Sequence, residues 1–174
     1  MEKSYKEYLQ HITTFIFDVD GVLTDGNVII NTEGELLRTM NVKDGYALKA
    51  AVRQGFNLCI ISGGKNEGVR KRLEGLEITD IYLGAHHKIE QLKEYMNRKN
   101  IKLENVLYMG DDIPDLPVME MVGLPTCPQD AVAEVKEISK YVSFKKGGKG
   151  CVRDVIEQVL KVQGKWIQNY NAKA

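Results

Sequence analysis

Hydrophobic residues in this chain form short apolar runs that alternate with longer stretches of helical periodicity. The clearest runs are Phe15 to Phe17, Phe56 to Ile61, Ile81 to Leu83 and Val106 to Met109. Strands buried on both faces of a parallel sheet have this continuous apolar character, and helices alternate with them along the chain. The pattern therefore predicts an α/β fold with a doubly wound parallel sheet.

The predicted helices lie between the apolar runs. One spans residues 45–54 and another spans residues 66–74, and each ends at a glycine. Two later stretches place their apolar residues on one helix face: Ile89, Leu92, Tyr95 and Met96 in the first, and Val152, Val155, Ile156, Val159 and Leu160 in the second. Such a face packs against a core or fits a partner's groove, and packing against the core is the simpler interpretation.

One segment interrupts the alternation of strands and helices. Residues 27–41 contain the apolar runs Val28 to Ile30 and Leu36 to Leu37, on either side of the polar stretch Asn31 to Gly34. Two short apolar runs around a turn that contains glycine are typical of a β-hairpin. We expect this hairpin to project from the sheet, because it has no place in the alternating pattern.

Length and composition narrow the class of protein. The 174 residues suit a single folded domain, 1–174, and lysine plus arginine equal aspartate plus glutamate at 24 each. A net charge of zero does not favour nucleic acid as a partner. The first residues lack the apolar core of a signal peptide and no stretch is long enough to span a membrane, so we expect a cytoplasmic protein.

Three widely spaced cysteines, Cys59, Cys127 and Cys151, predict neither a disulfide framework nor a zinc site.

The first apolar run is followed directly by two carboxylates. Asp18 and Asp20 stand two residues apart and precede Gly21, Thr24 and Asp25. Side chains two residues apart on a strand point to the same face, where two like charges repel unless a cation or a reaction uses them. This block therefore indicates a metal and phosphate site, although an aspartate-rich turn would be the favoured explanation if it stood alone.

Polar groups also follow the next three runs. Ser62-Gly63-Gly64 follows the second run, Lys88 lies shortly after the third, and the acidic cluster Gly110 to Asp115 follows the fourth. Each feature alone is explained by a turn or a solvated surface. Because the carboxyl ends of parallel strands meet at one edge of the sheet, we expect these loops to converge on one site.

The order of acidic pair, hydroxyl, lysine and acidic cluster resembles the haloacid dehalogenase superfamily over nearly the whole chain. The resemblance implies a haloacid dehalogenase fold and a phosphatase in which Asp18 is the nucleophile and becomes an aspartyl phosphate. Asp20 would act as acid and base, while Ser62 and Lys88 would hold the transferring phosphoryl group.

The same resemblance implies Mg²⁺ as the cofactor. Asp18, the backbone carbonyl of Asp20, and Asp111 would bind the ion, which neutralises charge between a carboxylate nucleophile and a phosphate ester. Asp112 and Asp115 would support the site by orienting the metal's surroundings and Lys88.

Members of this superfamily usually cover the site with an inserted cap domain, and this chain has no room for one. The hairpin and one helix occupy the chain between Asp20 and Ser62, and one helix and one strand occupy the chain between Ser62 and Lys88. Capless chains with such a hairpin resemble the 3-deoxy-D-manno-octulosonate (KDO) 8-phosphate phosphatases. The matching segments are Asp18 to Asp25, Asn41 to Gly45, Val69 to Arg72, Gly110 to Asp115, and Gly147 to Gly150 with Val152-Arg153-Asp154.

This closer resemblance implies a role in lipopolysaccharide sugar synthesis and a homotetramer whose neighbouring subunits close each site. A phosphorylated sugar acid would be bound by Asp20, Asn41, Val42, Lys43, Asp44, Gly45, Gly63, Gly64, Arg72 and Lys88. Arg72 is suited to the substrate carboxylate, although it also fits an ordinary helix surface. The C-terminal residues 164–174, with Trp166 and Tyr170, form either a tail that reaches a neighbour or a frayed end.

Several alternatives remain open from the sequence. Family members commonly carry arginine where this chain has Gly64, so the substrate could also be 2-keto-3-deoxynononate 9-phosphate or a sialic-acid phosphate. His86 and His87 are adjacent and point apart on a helix, which favours a structural or substrate-contacting role over metal binding. A receiver-like domain uses similar residues in a different order, and a catalytically silent regulator would keep the fold without the activity.

Overall fold

The protein forms a six-stranded parallel sheet with helices on both faces and a separate two-stranded hairpin. This architecture is seen in a computed structural model that describes residues 4–167. The strands are β1 (Thr14–Phe17), β2 (Ile29–Ile30), β3 (Leu36–Leu37), β4 (Asn57–Ser62), β5 (Asp80–Leu83), β6 (Val106–Met109), β7 (Leu124–Cys127) and β8 (Tyr141–Val142). The helices are α1 (Tyr5–Leu9), α2 (Val42–Arg53), α3 (Glu67–Glu74), α4 (Lys88–Lys99), α5 (Leu116–Met119), α6 (Ala133–Ile138) and α7 (Cys151–Val162).

The predicted α/β fold is confirmed, and all four apolar runs are strands of the main sheet. The sequence did not predict β7 or β8. β7 contains Pro125, which weakens a strand pattern, and β8 has only two residues, too few for a recognisable period. Two predicted helix starts also shift: α2 begins at Val42 rather than Gly45, and Asn66 caps α3 instead of starting it.

The order of the strands places β1 between β4 and β6, in the middle of the sheet. The sheet runs β5-β4-β1-β6-β7-β8, and every neighbouring pair is parallel. The chain leaves β1 for β4 and β5 on one side and then returns to β6 on the other. Loops that follow β1, β4, β5 and β6 therefore surround one crevice at the carboxyl edge, the usual ligand site of such sheets.

Alternating side chains of the strands fill two separate cores. In β1, Phe15 and Phe17 pack on the face covered by α2, α3 and α7, whereas Ile16 packs on the face covered by α4, α5 and α6. The predicted apolar faces of α4 and α7 lie in these two cores, which supports their interpretation as core faces. The three cysteines are buried and unpaired.

The hairpin is confirmed as a β2–β3 pair that lies outside the main sheet. Ile29 is opposite Leu37 and Ile30 is opposite Leu36. All four side chains are exposed, and the exposure of Ile30 reaches 69%. Four apolar side chains on one short ribbon are a surface that remains uncovered by the described part of the chain.

Side chains at the start of α2 cap this helix and bind the first turn of α7. The Asn41 side chain caps α2 by accepting a hydrogen bond from the backbone N–H of Lys43 at 2.8 Å. The neighbouring Asp44 is buried and accepts a bond from the backbone N–H of Arg153 in the first turn of α7, at 2.7 Å. Burial raises the pKa of this carboxyl to about 6.

Two further findings complete the fold. Trp166 lies edge-on to Tyr46 of α2, with ring centroids 6.1 Å apart, so this residue of the predicted tail packs on its own chain. Tyr170 and the end of the predicted tail lie outside the described residues. Among the described helices, none has the length and apolar character needed to cross a bilayer.

Candidate active site

A buried lysine joins two of the converging acidic loops. Lys88, at the start of α4, donates hydrogen bonds from Nζ to Asp18 Oδ2 at 2.9 Å and to Asp115 Oδ1 at 2.7 Å. All three side chains are buried. Burial disfavours the charged amine, but the two carboxylates outweigh it, so the pKa of Lys88 is raised and the ammonium form persists. The structure thus brings residues from three separate loops into direct contact.

Asp115 organises the loop that follows β6. Its Oδ1 also accepts a bond from the Tyr108 hydroxyl at 2.6 Å, and its Oδ2 accepts one from the backbone N–H of Asp111 at 3.0 Å. Tyr108 lies at zero exposure within β6 and was missed by the sequence analysis. The available signal was a hydroxyl in an otherwise apolar strand directly before an acidic loop, because a buried tyrosine hydroxyl needs a partner.

Three carboxylates come close enough to share one cation. One oxygen each from Asp18, Asp111 and Asp115 lies within 4.8 Å of the others. Burial and then the charge of Asp115 raise the pKa of Asp18 to about 6, and burial and then Asp18 raise the pKa of Asp111 to about 8. Hard carboxylate oxygens and this excess of negative charge fit a divalent ion such as Mg²⁺. Asp18 and Asp111 were predicted as ligands, and Asp115 was predicted as a support.

Two glycines, Gly21 and Gly147, allow the loop after β1 to pack close to Asp111. A Cβ added to Gly21 would lie 1.9 Å from Asp111 Oδ2, and Gly21 has a φ of +83°. Behind the loop, a Cβ on Gly147 would lie 1.9 Å from the carbonyl oxygen of Gly21. The Gly147 to Gly150 segment noted in the sequence therefore packs backbone against backbone and supports the loop that carries Asp18 and Asp20.

The crevice contains a cavity of about 380 Å³. Ser62 is buried at the end of β4, and its Oγ accepts a hydrogen bond from the Gly64 N–H at 3.4 Å. The cavity is lined by Asp18, Asp20, Gly21, Gly26, Ser62, Gly63, Gly64, Ala85, His86, Lys88, Asp111, Asp112, Pro114 and Asp115. All four predicted catalytic residues line this cavity. His86 lines it as well, which is compatible with the substrate-contacting role that was one of its two expected roles.

Asp20 has a partner that the sequence analysis did not identify. Arg38, which follows β3 of the hairpin, forms an ion pair with Asp20 at 2.7 Å. No spacing rule relates residue 38 to residue 20, because the contact depends on how the hairpin folds back towards the sheet.

The predicted sugar contacts of α2 and α3 lie away from the cavity lining. Asn41 and Lys43 border a separate groove of about 590 Å³ along α7, and Asp44 is buried against that helix. The Arg72 guanidinium extends over Gly45, with Nη2 only 2.6 Å from the position of an added Cβ. Val42, the remaining member of this set, is exposed at the start of α2. Contact of these residues with a sugar stays a prediction.

Asp112 differs from its acidic neighbours in its surroundings. It is exposed and caps the short 3₁₀ turn Ile113–Asp115 by accepting a bond from the Ile113 N–H at 2.8 Å. The side chain of Asp112 therefore has a local structural task, whereas Lys88 bonds to Asp18 and Asp115.

The arrangement provides what nucleophilic phosphoryl transfer requires. A buried carboxylate, Asp18, faces the cavity with its Oδ1 held by the Val19 N–H at 2.7 Å. A lysine and a hydroxyl line the same cavity and could bind phosphate oxygens, and a second carboxylate there, Asp20, could transfer protons. A cation would lower the repulsion between Asp18 and a phosphate dianion.

Comparison with known proteins agrees with this chemistry. Residues 73–153 match the family model of haloacid dehalogenase-like hydrolases. The chain is 39% identical to the 3-deoxy-D-manno-octulosonate 8-phosphate phosphatase of Escherichia coli (strain K12) over 156 residues, which cover 90% of this chain and 83% of that protein. This chain belongs to the haloacid dehalogenase-like hydrolases.

Solved structures of the same phosphatase group have the same fold as this hydrolase. The enzyme from Yersinia pestis superimposes with a TM-score of 0.91 at 33% identity, covering 95% of this chain and 89% of that chain. The enzyme from Moraxella catarrhalis, crystallised with a magnesium ion, a phosphate ion and a KDO molecule, superimposes with a TM-score of 0.89 at 34% identity, covering 92% of each chain.

We predict that Gly21→Ala weakens Mg²⁺ binding by this hydrolase at least tenfold. The added methyl group would occupy the position of the Asp111 carboxylate and force that side chain away from Asp18. Isothermal titration with Mg²⁺ measures the change. Gly34→Ala is the matched control, since Gly34 has a similar φ of +78° but no atom within 4 Å of the added Cβ. Unchanged Mg²⁺ affinity in Gly21→Ala would contradict the assigned geometry.

We also predict that stabilisation of this hydrolase by Mg²⁺ increases from pH 6 to pH 8.5. The raised pKa values of Asp18 and Asp111 mean that the metal-free fold binds more protons than the unfolded chain, so its stability falls as pH rises from about 4 through about 8. Mg²⁺ binds the ionised carboxylates and removes this loss. Melting temperatures in Mg²⁺ and in EDTA across this range test it, and a difference that shrinks with pH would contradict it.

Proposed function

We propose that this protein is a Mg²⁺-dependent phosphatase that hydrolyses KDO 8-phosphate to the free sugar acid and phosphate. The observation that carries the proposal is the Lys88 bridge between Asp18 and Asp115 beside a carboxylate cluster suited to a cation. The relatives named for this activity add independent support, since they match nearly the full chain.

In the proposed reaction, Asp18 attacks the phosphorus of the ester and forms an aspartyl phosphate. Lys88 and the Ser62 hydroxyl bind the phosphoryl oxygens and keep the phosphorus in line with the Asp18 oxygen. Mg²⁺ held by Asp18, Asp111 and the backbone carbonyl of Asp20 would neutralise charge on the phosphoryl group.

Asp20 serves both halves of the reaction. It gives a proton to the departing sugar oxygen in the first half, and it removes a proton from the attacking water in the second half. Asp20 lies on the cavity wall and pairs with Arg38, whereas Lys88 pairs with Asp18 and Asp115, which supports this division of work. Hydrolysis of the aspartyl phosphate then releases phosphate and restores Asp18.

Replacing the two reacting carboxylates tests the proposal. Asp18→Asn should abolish phosphate release from KDO 8-phosphate, because an amide is not a competent nucleophile. Asp20→Asn should lower kcat by roughly 10²–10⁴-fold through loss of proton transfer. Asp80→Asn is the matched control, since Asp80 pairs with Arg98 and Lys99 and does not line the cavity. Mg²⁺-dependent turnover that persists in Asp18→Asn would refute the nucleophile.

The same assay separates the possible substrates. We expect a higher kcat/KM for KDO 8-phosphate than for 2-keto-3-deoxynononate 9-phosphate or a sialic-acid 9-phosphate. A preference for a nine-carbon substrate would move the proposal to that alternative. Absence of turnover of any phosphate ester would favour a silent regulatory domain.

We further propose that the protein is a homo-oligomer, with a tetramer as the expected form. The exposed apolar side chains of the hairpin support it, since they have no cover within the described chain. A cavity without a cap domain also needs a neighbour to exclude water during phosphoryl transfer. The sugar contacts proposed for Asn41 to Gly45 and Arg72, and the cytoplasmic location, remain predictions within this scheme.

Ile30→Glu should dissociate such an oligomer, because it places a charge on the most exposed apolar residue of the hairpin. Sedimentation velocity measures the change, and activity on the sugar phosphate should fall with it. Phe144→Glu is the matched control, with a similar exposure of 68% outside the hairpin. A wild-type protein that sediments as a fully active monomer would contradict the proposal.

A further inference from the structure

A single arginine of the hairpin binds the carboxylate assigned to proton transfer. Arg38 donates from Nε to Asp20 Oδ1 at 2.7 Å and from Nη2 to Asp20 Oδ2 at 3.0 Å. Two parallel N–H···O bonds of this kind fix both the position and the plane of a carboxylate. The Arg38 side chain is 9% exposed, whereas the Asp20 side chain is 37% exposed and faces the cavity. The less exposed Arg38 thus restrains the more exposed Asp20.

The guanidinium is itself held in place from the opposite side. Its Nη1 donates to the carbonyl oxygen of Leu36 at 3.0 Å, within the hairpin. The same carbonyl oxygen accepts a bond from Asn66 Nδ2 at 2.9 Å, and Asn66 caps α3 through the Val69 N–H. Arg38 is therefore tied to β3 and, through one shared acceptor, to the start of α3.

Gly64 provides the space in which this pair forms. A Cβ added to Gly64 would lie 3.3 Å from Asp20 Oδ2 and 3.5 Å from Arg38 Nη2. An added Cβ would therefore already touch both groups. The small recess beside them is lined by Ser62, Asn66 and Gly64, which places Arg38 next to the reaction edge and apart from the Lys88 cluster.

We propose that Arg38 is a positioning residue that orients the Asp20 carboxylate towards the leaving-group oxygen of the substrate. The role rests on the proposed function of Asp20 as the group that exchanges protons with that oxygen. An unrestrained, partly exposed carboxylate samples several rotamers, and the two-bond contact with Arg38 selects one of them. The hairpin thereby contributes to the chemistry of its own chain, in addition to any contact with neighbours.

The test compares two phosphate esters that differ in their need for a proton. The sugar alkoxide of KDO 8-phosphate must be protonated as it leaves, whereas p-nitrophenolate is a stable anion and leaves without help. For Arg38→Gln we expect kcat on KDO 8-phosphate to fall roughly 10–100-fold, part of the full effect of general acid catalysis. The rate of aspartyl phosphate formation from p-nitrophenyl phosphate, measured in the pre-steady state, should change less than about threefold, with KM unchanged for both esters.

Rescue experiments separate orientation from folding. Arg38→Lys keeps the charge but cannot form the two parallel bonds, so it should recover only part of the loss. Guanidinium chloride at millimolar concentration should raise the activity of Arg38→Ala, because the ion fits the space left by the side chain. The Mg²⁺ concentration for half-maximal activity should stay unchanged. Arg70→Gln, on the surface of α3, is the matched control and should behave as wild type.

Three outcomes would overturn the proposal. Equal losses on the two esters would show that Arg38 supports the site in general. A rise in KM alone would assign Arg38 to substrate binding. Wild-type kinetics in Arg38→Gln would show that it has no positioning role. Failure of the proposed function is distinct, because it appears in the wild-type protein as an absence of Mg²⁺-dependent turnover of either ester. In that case the positioning role falls with it.

Discussion

The structure depends on the neutralisation of like charges at the carboxyl edge of the sheet. Asp18, Asp111 and Asp115 approach one another in a buried crevice, where burial and then their mutual repulsion raise the pKa of Asp18 and Asp111. Lys88 offsets part of this charge by bonding to Asp18 and Asp115. A divalent ion would offset the rest, so the fold of the site and its capacity to bind a phosphate dianion have the same electrostatic origin.

Backbone packing holds these charges in place without any charged contact. Gly21 leaves room for Asp111, and Gly147 lets a distant loop press directly against the backbone of Gly21. Side chains at these positions would separate the loops by more than the tolerance of a metal site. The segment 147–150 therefore belongs to the site although it carries no reacting group. The helix that follows this segment, α7, is held to α2 by the bond from the Arg153 N–H to Asp44.

The hairpin has two faces with different physical roles. Its exposed apolar side chains favour contact with another subunit, while Arg38 at its base reaches Asp20 within the same chain. If subunits associate through these side chains, the hairpin would serve both assembly and chemistry. Association of subunits would then restrain the hairpin and, through Arg38, the orientation of Asp20.

Sequence alone determined the parallel sheet, the hairpin and the residues of four loops, because apolar runs and helical periods are local signals and topology brings strand ends together. It missed β7 and β8, whose short patterns are too weak to recognise, and it began α2 three residues late because the cap at Asn41 lies outside the helical period. Only the tertiary structure decided that Arg38 meets Asp20, that Tyr108 meets Asp115, and that Asp44 binds the start of α7. Those contacts join residues that no repeat or spacing relates, since their distances are set by how whole elements pack.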